Sequence, residues 1–492
     1  MTEMPLQPEP IHAVERAWMR FRALSTESMD DTVESVFQYA LRLAGIRELV
    51  QVNGQRIWMD GQLETYRQKL GECIRSAAKT PITFSGGEAL EGVGTLAWQG
   101  SWKKKDILAI YPEVKTMLQT MISQLKERFG QLCNEDFEHT LAQKKLVLAL
   151  GGGGGTGFVH LCLFQYLEEL GIRPSLMTGT SIGALLGFVR ALQDNYDAAR
   201  AVLKLPGLWD LTKCIHPCFG TGTHGLMGLC RIDISSIIEN ISKSCGWSSI
   251  PNLNELKIPF ACVSSGILSN SDIVHDFEHQ SRNPLMSLLR MTHLTWRRAM
   301  QHAAQIAELI VTRNAVSPVV FGVDELTRDM PGCDAISFSM LVPGVLNYEL
   351  PEYHYRSREI LNRIFKMRGL YRLADGGLAS NVPVRAAYTA VRQKRVEHEN
   401  VYILGMDVFA PQHGDGVFYP LQKIANENAR IDAGYADSFV RLKYLLSPMN
   451  LVPSLVKMHW LNDKFKKTFA PEMKIIQYAL KPLAPLELAM NN

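Results

Sequence analysis

The chain has 492 residues, of which 46% are apolar and 21% charged, and its formal net charge at pH 7 is +3. This length and composition predict a globular protein that buries a large core and folds as more than one domain. The net charge is small and the basic residues are spread along the chain, which argues against nucleic acid as a partner. No apolar run approaches the roughly 20 residues of a membrane span, and the first residues lack the basic-then-apolar pattern of a secretory signal.

Nine cysteines occur at irregular spacings. An odd number in a long chain favours free thiols in a reducing compartment over a disulfide framework. The cytoplasm is therefore the expected location. A membrane would be met from its surface, as by a peripherally associated protein.

Residues 1–143 are predicted to be mainly helical, because apolar residues recur at helical spacing, as in Val14, Trp18 and Phe21. A glycine-rich stretch from Pro81 to Lys105 separates two such segments. It ends in three lysines, which favour a solvated loop over a binding patch. The pattern indicates no role for this region.

The character of the chain changes at Lys144. The apolar run Leu146–Leu150 is stopped by glycines, as is typical of a buried parallel strand. A predicted helix at Phe158–Leu170, a strand at Ser175–Thr178 and a helix at Ile182–Leu192 complete a βαβα unit, which indicates an α/β sheet with crossover helices. Later strands are predicted at residues 260–263, 371–374 and 401–404.

Ser181 lies in the sequence Gly179-Thr180-Ser181-Ile182-Gly183, which fits the nucleophile elbow Gly-x-Ser-x-Gly. In such an elbow, small flanking residues permit a sharp strand-to-helix turn that exposes the serine hydroxyl. The predicted strand before it and the helix after it strengthen this interpretation. The alternative is a glycine-flanked serine that only caps the helix.

A glycine run, Gly151–Gly155, followed by Thr156 and Gly157, also joins a strand to a helix. Its backbone N–H groups favour an anion and suit an oxyanion hole. The run equally matches the dinucleotide-binding pattern Gly-x-Gly-x-x-Gly. That site needs an acidic residue at the next strand, where this chain has Ser181. A phosphate-binding P-loop is excluded because no Gly-Lys-Ser/Thr follows.

The third motif is Asp375-Gly376-Gly377, directly after a predicted strand. Its glycines permit close backbone approach and leave a carboxylate on a turn. An Asp-Gly pair alone is usually only a turn. The functional interpretation of Asp375 therefore depends on the two motifs that precede it in the chain.

Taken together and in this order, the motifs resemble those of the patatin-like phospholipase family. The matching residues are Leu148 to Gly154, Gly157, His160, Leu167 to Glu169, Gly171, Ile172, Gly179 to Ala184, Asp375 to Leu378, Asn381 and Pro383. The resemblance covers about residues 145–410 and leaves the first 143 residues unexplained.

The resemblance implies a three-layer α/β sandwich with a mainly parallel central sheet. It implies a catalytic domain at residues 144–410, followed by an extension at 411–492. The expected activity is hydrolysis of carboxylic esters in phospholipids or related acyl lipids, without metal or cofactor. Ser181 and Asp375 would form a catalytic dyad, with Gly152, Gly153 and Gly154 as the oxyanion hole. One departure is Thr156, where the family commonly has Arg or Lys.

An aspartate with an ordinary pKa of about 3.9 is a poor base at neutral pH. A catalytic Asp375 is therefore predicted to be partly desolvated, since burial raises the pKa of a carboxyl group.

Two alternatives remain open at the level of sequence. His398, His413 and His459 follow Asp375 in the order of a Ser–Asp–His triad, although none has a distinctive local context. Alternatively, residues 1–143 bind a protein partner and the α/β unit is only a scaffold. The segment Cys214 to Cys218 with His224 is a poor zinc signature, and a structural loop is expected there.

Two segments could contact a lipid surface. Residues 284–316 contain no glycine and mix leucine, methionine and tryptophan with arginine, as a lid or interfacial helix would. Residues 441–481 interleave eight basic residues with aromatic ones, which favours anionic headgroups. Ordinary amphipathic surface helices would give the same patterns.

Overall fold

A computed structural model describes most of the chain. The described residues are 10–46, 48–50, 56–58, 60–90, 93–129, 135–196, 211–220, 223–271, 306–308, 311, 315–396, 399–411, 419–443, 446–448 and 455–491. The predicted lid at 284–316 lies mostly outside these residues, as do His398 and His413.

Helices and strands alternate along most of the described chain. The helices are α1 (Pro10–Leu24), α2 (Asp31–Gly45), α3 (Asp60–Ser76), α4 (Lys104–Phe129), α5 (Glu135–Ala142), α6 (Val159–Glu169), α7 (Ile182–Ala191), α8 (Ser235–Ser244), α9 (Gly332–Ser339), α10 (Tyr355–Arg368), α11 (Gly377–Ser380), α12 (Val384–Arg392), α13 (Tyr419–Ala433), α14 (Leu455–Leu480) and α15 (Leu486–Asn491). The strands are β1 (Glu48–Val50), β2 (Arg56–Trp58), β3 (Ala78–Leu90), β4 (Val93–Trp102), β5 (Lys145–Leu150), β6 (Pro174–Thr180), β7 (Ile215–Gly220), β8 (Gly228–Ile232), β9 (Phe260–Leu268), β10 (Val316–Phe321), β11 (Gly344–Asn347), β12 (Leu370–Ala374), β13 (Val401–Asp407) and β14 (Ser438–Leu442). Short 3₁₀-helices span Gly154–Phe158 and Leu211–Cys214.

A nine-stranded sheet organises the fold, in the order β10-β9-β6-β5-β13-β14-β4-β3, with β12 also paired to β9. The five central strands, β9, β6, β5, β13 and β14, are parallel to one another. The outer strands are antiparallel. This is the mainly parallel α/β sheet predicted from the sequence.

Helices cover both faces of this sheet. Strand β5 shows why: Leu146, Leu148 and Leu150 enter one apolar cluster with helices α6, α7 and α14. Val147 and Ala149 enter another with α12 and α13. Because successive side chains of a strand point to opposite faces, a continuous apolar run requires cover on both. The result is a three-layer α/β/α sandwich.

The N-terminal region is mainly helical, as predicted, but its glycine-rich stretch is not a loop. Residues 78–90 and 93–102 form the antiparallel strand pair β3–β4, and the predicted solvated lysines lead into α4, which begins at Lys104. The prediction was wrong because the partner that orders β4 is remote in sequence: Leu96 lies opposite Phe439 of β14. The central sheet therefore crosses the predicted domain boundary at residue 143.

Buried charges join helix α1 to the α/β unit. Glu15 forms an ion pair with Lys144 at 2.8 Å, and both side chains are buried. Arg16 pairs with Asp437 at 3.1 Å and donates to the carbonyl oxygen of Gly434. Burial alone would raise the pKa of Glu15, but the Lys144 ammonium group and His12 lower that pKa to about 2. Glu15 is therefore charged in the folded protein at neutral pH.

We expect Glu15→Gln to destabilise the protein by about 3 kcal/mol at pH 7, because Lys144 would stay buried without a counter-charge. The midpoint of urea unfolding measures this. Since the pKa of Glu15 is lower in the folded than in the unfolded chain, its stabilising contribution is present above pH 4.5 and is lost as pH falls toward 2.

Glu64→Gln is the matched control. This side chain is 74% exposed and lies 3.9 Å from Arg67. Its loss should cost less than about 1 kcal/mol. Equal midpoints for the Glu15 and Glu64 variants at pH 7 would contradict the structural role of the Glu15–Lys144 pair.

Among the described helices, none is long and apolar enough to cross a bilayer. Seven cysteines in the described part of the chain are free thiols: Cys73, Cys162, Cys214, Cys230, Cys245, Cys262 and Cys333.

Candidate active site

Ser181 forms the turn between strand β6 and helix α7. Its backbone has φ 53° and ψ −123°, a conformation that a residue with a side chain rarely adopts. The flanking glycines make the turn possible, since a Cβ at Gly179 would lie 2.5 Å from the Gly183 oxygen. A Cβ at Gly183 would lie 2.3 Å from the Leu150 oxygen. The predicted nucleophile elbow is thus present as a strand–turn–helix.

Strand β9 brings Asp375 to Ser181. Strand β10 pairs along β9 from Cys262 to Ile267, so the other two partners share the opposite edge. Strand β6 runs parallel to β9 and ends with Thr180 opposite Val263. Strand β12 approaches from the other direction and ends with Ala374 opposite Ser265. The next residue of each strand, Ser181 and Asp375, therefore meets the other end-on beside Ser264.

Two serines of β9 stabilise the junction between the ends of β6 and β12 by hydrogen bonds. The Ser264 hydroxyl lies 2.9 Å from the backbone carbonyl oxygen of Ala374. The Ser265 hydroxyl donates to the backbone carbonyl oxygen of Asp375 at 2.7 Å. Ser265 also accepts the N–H of Ala379 at 2.9 Å. Both serine side chains are buried, and they fix the turn that presents the carboxylate. Sequence reasoning did not single them out, because their bonds are to residues about 110 positions away.

Ser339 supports the elbow from the other side. Its hydroxyl accepts the backbone N–H of Ser181 at 2.8 Å and donates to the Val263 oxygen. The backbone oxygen of Ser339 accepts the N–H of Gly376 at 3.2 Å. One buried residue therefore contacts Ser181 and Gly376, the residue that follows Asp375.

The carboxyl group of Asp375 has a raised pKa. Burial raises this pKa from 3.8 to about 6, although hydrogen bonds from the Gly377 N–H and the Ser181 side chain lower it in part. The Gly377 N–H donates to the carboxylate at 2.8 Å. This agrees with the predicted desolvation of Asp375, and it makes the group a stronger base than an ordinary aspartate once it is ionised.

The glycine loop lies beside Ser181. The Gly152 N–H donates to the backbone oxygen of Asn381 at 3.1 Å, and the Gly155 N–H donates to the backbone oxygen of Pro448 at 2.8 Å. In contrast, the N–H groups of Gly153 and Gly154 have no acceptor among the described residues. Of the three glycines predicted to form the oxyanion hole, Gly152 is therefore engaged elsewhere and the other two keep donors that could face a substrate.

Asn381 lies beneath this arrangement and is 3% exposed. A Cβ added at Gly152 or at Gly377 would lie 3.1 Å from its Oδ1 atom, so both glycines leave room for its amide. Its Nδ2 atom has no partner within the described part of the chain. Asn381 was part of the family resemblance, but its contact with both glycines follows only from the tertiary structure.

A cavity opens at Ser181 and Asp375 and is lined almost entirely by apolar side chains. These include Ile182, Ile215, Val345, Leu346, Leu421 and Ile424. The polar groups at its base are Ser181, Asp375 and Asn381, next to Gly153 and Gly154. The arrangement suits a substrate with an apolar chain and one polar reactive group.

The other predicted candidates lie elsewhere. His459 is exposed on helix α14 and does not line the cavity. Cys214 is buried in the cavity wall, and His224 lies 3.2 Å from Asn362 and edge-on to Phe365. Within the described residues, no three His, Cys, Asp or Glu side chains converge as a metal ion would require.

A nucleophile elbow beside a carboxylate, at the edge of a parallel sheet and under an apolar cavity, is the arrangement of an α/β hydrolytic enzyme. Residues 148–388 match the sequence model of the family described as patatin-like phospholipase. Residues 148–388 therefore form a patatin-like phospholipase domain.

Several curated proteins are similar to parts of the chain. Lysophospholipase NTE1 of Kluyveromyces lactis is 35% identical over 88 residues, which are 18% of this chain and 6% of that protein. Patatin-like phospholipase domain-containing protein 7 of Mus musculus is 28% identical over 145 residues, 27% of this chain and 10% of the relative. Neuropathy target esterase sws of Drosophila melanogaster is 25% identical over 178 residues, which are 34% of this chain and 12% of that protein. The chain thus spans only a small part of these relatives.

Proposed function

We propose that this protein is a lipid acyl hydrolase that cleaves carboxylic ester bonds of phospholipids or related acyl lipids. The observation that carries the proposal is the end-on meeting of β6 and β12, which sets Ser181 beside Asp375 at the base of an apolar cavity. The match of residues 148–388 to the patatin-like phospholipase family model supports it.

In the proposed mechanism, Asp375 accepts the proton of the Ser181 hydroxyl as that oxygen attacks the ester carbonyl. The N–H groups of Gly153 and Gly154 stabilise the oxyanion that forms. Asp375 then returns the proton to the departing alcohol, which leaves an acyl group on Ser181. A water molecule, deprotonated by Asp375 in the same way, releases the fatty acid and restores the serine.

The apolar lining of the cavity supports an acyl chain as the part of the substrate that is bound there. Because one of the similar proteins is named a lysophospholipase, we propose single-chain phospholipids among the substrates. These would be met at a membrane surface. Helix α14 offers a candidate contact, since Trp460 is 53% exposed and the Lys464 ammonium lies 5.1 Å from its ring.

We expect kcat/KM to fall as pH drops through about 6, because Asp375 must be ionised to accept a proton and its pKa is raised to about 6. The measurement is a pH profile from 4 to 8, with an ester that has no titrating group in this range. An acid limb at about pH 4 would show that Asp375 is not the desolvated base described here.

The proposed function is tested by fatty-acid release from lysophosphatidylcholine and phosphatidylcholine, together with labelling by a fluorophosphonate that reacts with activated serines. We expect release from at least one lipid and a mass-spectrometric adduct on Ser181. A variant with His398, His413 and His459 replaced by Asn should retain activity. Loss of activity in that folded variant would favour a Ser–Asp–His triad, and a folded wild type with neither release nor labelling would overturn the proposal.

A further inference from the structure

Thr156 follows the glycine run, and its side chain is turned inward. The residue is 5% exposed. Its hydroxyl donates to the Gly153 oxygen at 2.7 Å, and its own N–H approaches the same oxygen at 3.3 Å. A Cβ placed on Gly153 would lie only 2.4 Å from the Thr156 hydroxyl oxygen, so this hydroxyl lies directly against the glycine loop.

The orientation of one peptide unit follows from this bond. In a planar trans peptide, the C=O of one residue and the N–H of the next point in opposite directions. Since the Gly153 oxygen points toward the Thr156 hydroxyl, the Gly154 N–H points away from that hydroxyl. That N–H has no acceptor in the described part of the chain, and Gly153 and Gly154 both line the cavity beside Ser181.

The peptide unit needs such an anchor because its backbone is unusually free. Gly153 has φ 155° and Gly154 has φ 57°, and neither carries a side chain that would restrict rotation. The Gly155 N–H, bonded to Pro448, holds the chain just beyond this unit. No other side chain of the described residues donates to the Gly153 oxygen.

We propose that Thr156 is a positioning residue of the oxyanion hole, whose hydroxyl holds the Gly153–Gly154 peptide so that the Gly154 N–H faces the reacting carbonyl. This role rests on the proposed function. Thr156 does not touch the substrate. It acts through the peptide unit, whose donor is useful only if it is already oriented when charge develops on the oxygen.

The test compares Thr156→Val, which keeps the shape and removes the donor, with Thr156→Ser, which keeps the donor. For the Val variant we expect kcat to fall by about 10- to 100-fold with KM little changed, a loss no larger than that of removing a single oxyanion donor. The acid limb of the pH profile should not move. The affinity for a trifluoromethyl ketone, which forms a tetrahedral adduct with the serine, should fall in parallel with kcat. Thr156→Ser should restore most of both.

Thr178→Val is the matched control. Thr178 is fully buried, and its hydroxyl also donates to a backbone oxygen, that of Pro383, at 3.1 Å. Its loss removes the same kind of bond from strand β6, and kcat should stay close to that of the wild type.

The outcomes separate this role from the function on which it rests. A wild type that is active and labelled at Ser181, with a Thr156→Val variant of unchanged kcat, overturns the role alone. Equal losses of kcat in the Thr156→Val and Thr178→Val variants, or a folded Ser variant as impaired as the Val variant, also overturn it. A wild type with neither activity nor labelling overturns both proposals.

Discussion

Replacing Ser181 with Ala is expected to reduce fatty-acid release by roughly 10⁴- to 10⁶-fold, the scale on which removal of a catalytic nucleophile acts. Without the hydroxyl no acyl-enzyme can form, so the remaining rate would come only from substrate binding and the oxyanion donors. The measurement is kcat with saturating lysophospholipid, and labelling by the fluorophosphonate should disappear in parallel.

The fold should survive this change. The turn is set by the backbone and by the Ser339 hydroxyl that accepts the Ser181 N–H, and both remain in the variant. Ser269→Ala provides the control, since this serine is exposed in a turn after β9, and its activity should equal that of the wild type. A folded Ser181→Ala variant with more than about 1% of wild-type activity would contradict the proposed role of Ser181, because a nucleophile's loss costs far more.

Asp375→Asn should reduce kcat by roughly 10⁴-fold, because an amide cannot accept the serine proton at any accessible pH. The Asn oxygen can still accept the Gly377 N–H, so the turn should persist. Because the titrating carboxyl group is absent, the residual activity of this variant should show no acid limb near pH 6. A substitution that only weakened the packing around Asp375 would keep such a limb.

The same substitution is expected to raise stability. The pKa of Asp375 is higher in the folded than in the unfolded chain, so the folded protein loses stability as pH rises from about 4 to about 6. A neutral Asn lacks this penalty. The melting temperature of the variant should therefore exceed that of the wild type above pH 6, and the difference should vanish near pH 4.

Asp432→Asn separates stability from catalysis. Burial also raises the pKa of Asp432 to about 6, and its carboxylate accepts the Ser380 hydroxyl at 2.7 Å. Asp432 does not line the cavity. The same dependence of melting temperature on pH is expected for this variant, with activity retained. If both variants lost activity equally, the loss could not be assigned to a missing base at Asp375.

The elements that sequence patterns predicted well are those with local causes. The strand and helix around Ser181 were expected at Ser175–Thr178 and Ile182–Leu192, and they lie at Pro174–Thr180 and Ile182–Ala191. A buried apolar run and the glycines at its end are both visible in a short window of sequence. The β3–β4 strand pair was missed because β4 also pairs with β14, more than 300 positions away in the sequence.

The candidate site divides in the same way. The three motifs predicted Ser181, Asp375 and the glycine loop as site residues, but they did not distinguish which of Gly152, Gly153 and Gly154 keeps an N–H without an internal acceptor. In the structure, the Gly152 N–H donates to the backbone oxygen of Asn381, which is remote in sequence, and the Thr156 hydroxyl donates to the Gly153 oxygen three residues back. The first contact depends on tertiary packing. The second depends on the backbone conformation of the loop, which the glycine pattern does not specify.

By itself, the sequence determined the α/β class, the strand–turn–helix at Ser181, the position of the glycine loop between a strand and a helix, and the family resemblance. Each of these depends on residue types within a short stretch of chain. The resemblance predicted that Asp375 pairs with Ser181, and the proposed chemistry predicted its desolvation. Only the tertiary structure decided how the two residues meet, that Ser264, Ser265 and Ser339 hold the junction by hydrogen bonds, and that burial raises the pKa of Asp375 to about 6. Those features arise where β6 and β12 share one edge of β9, and the pairing of distant strands depends on packing of the whole sheet rather than on any local pattern.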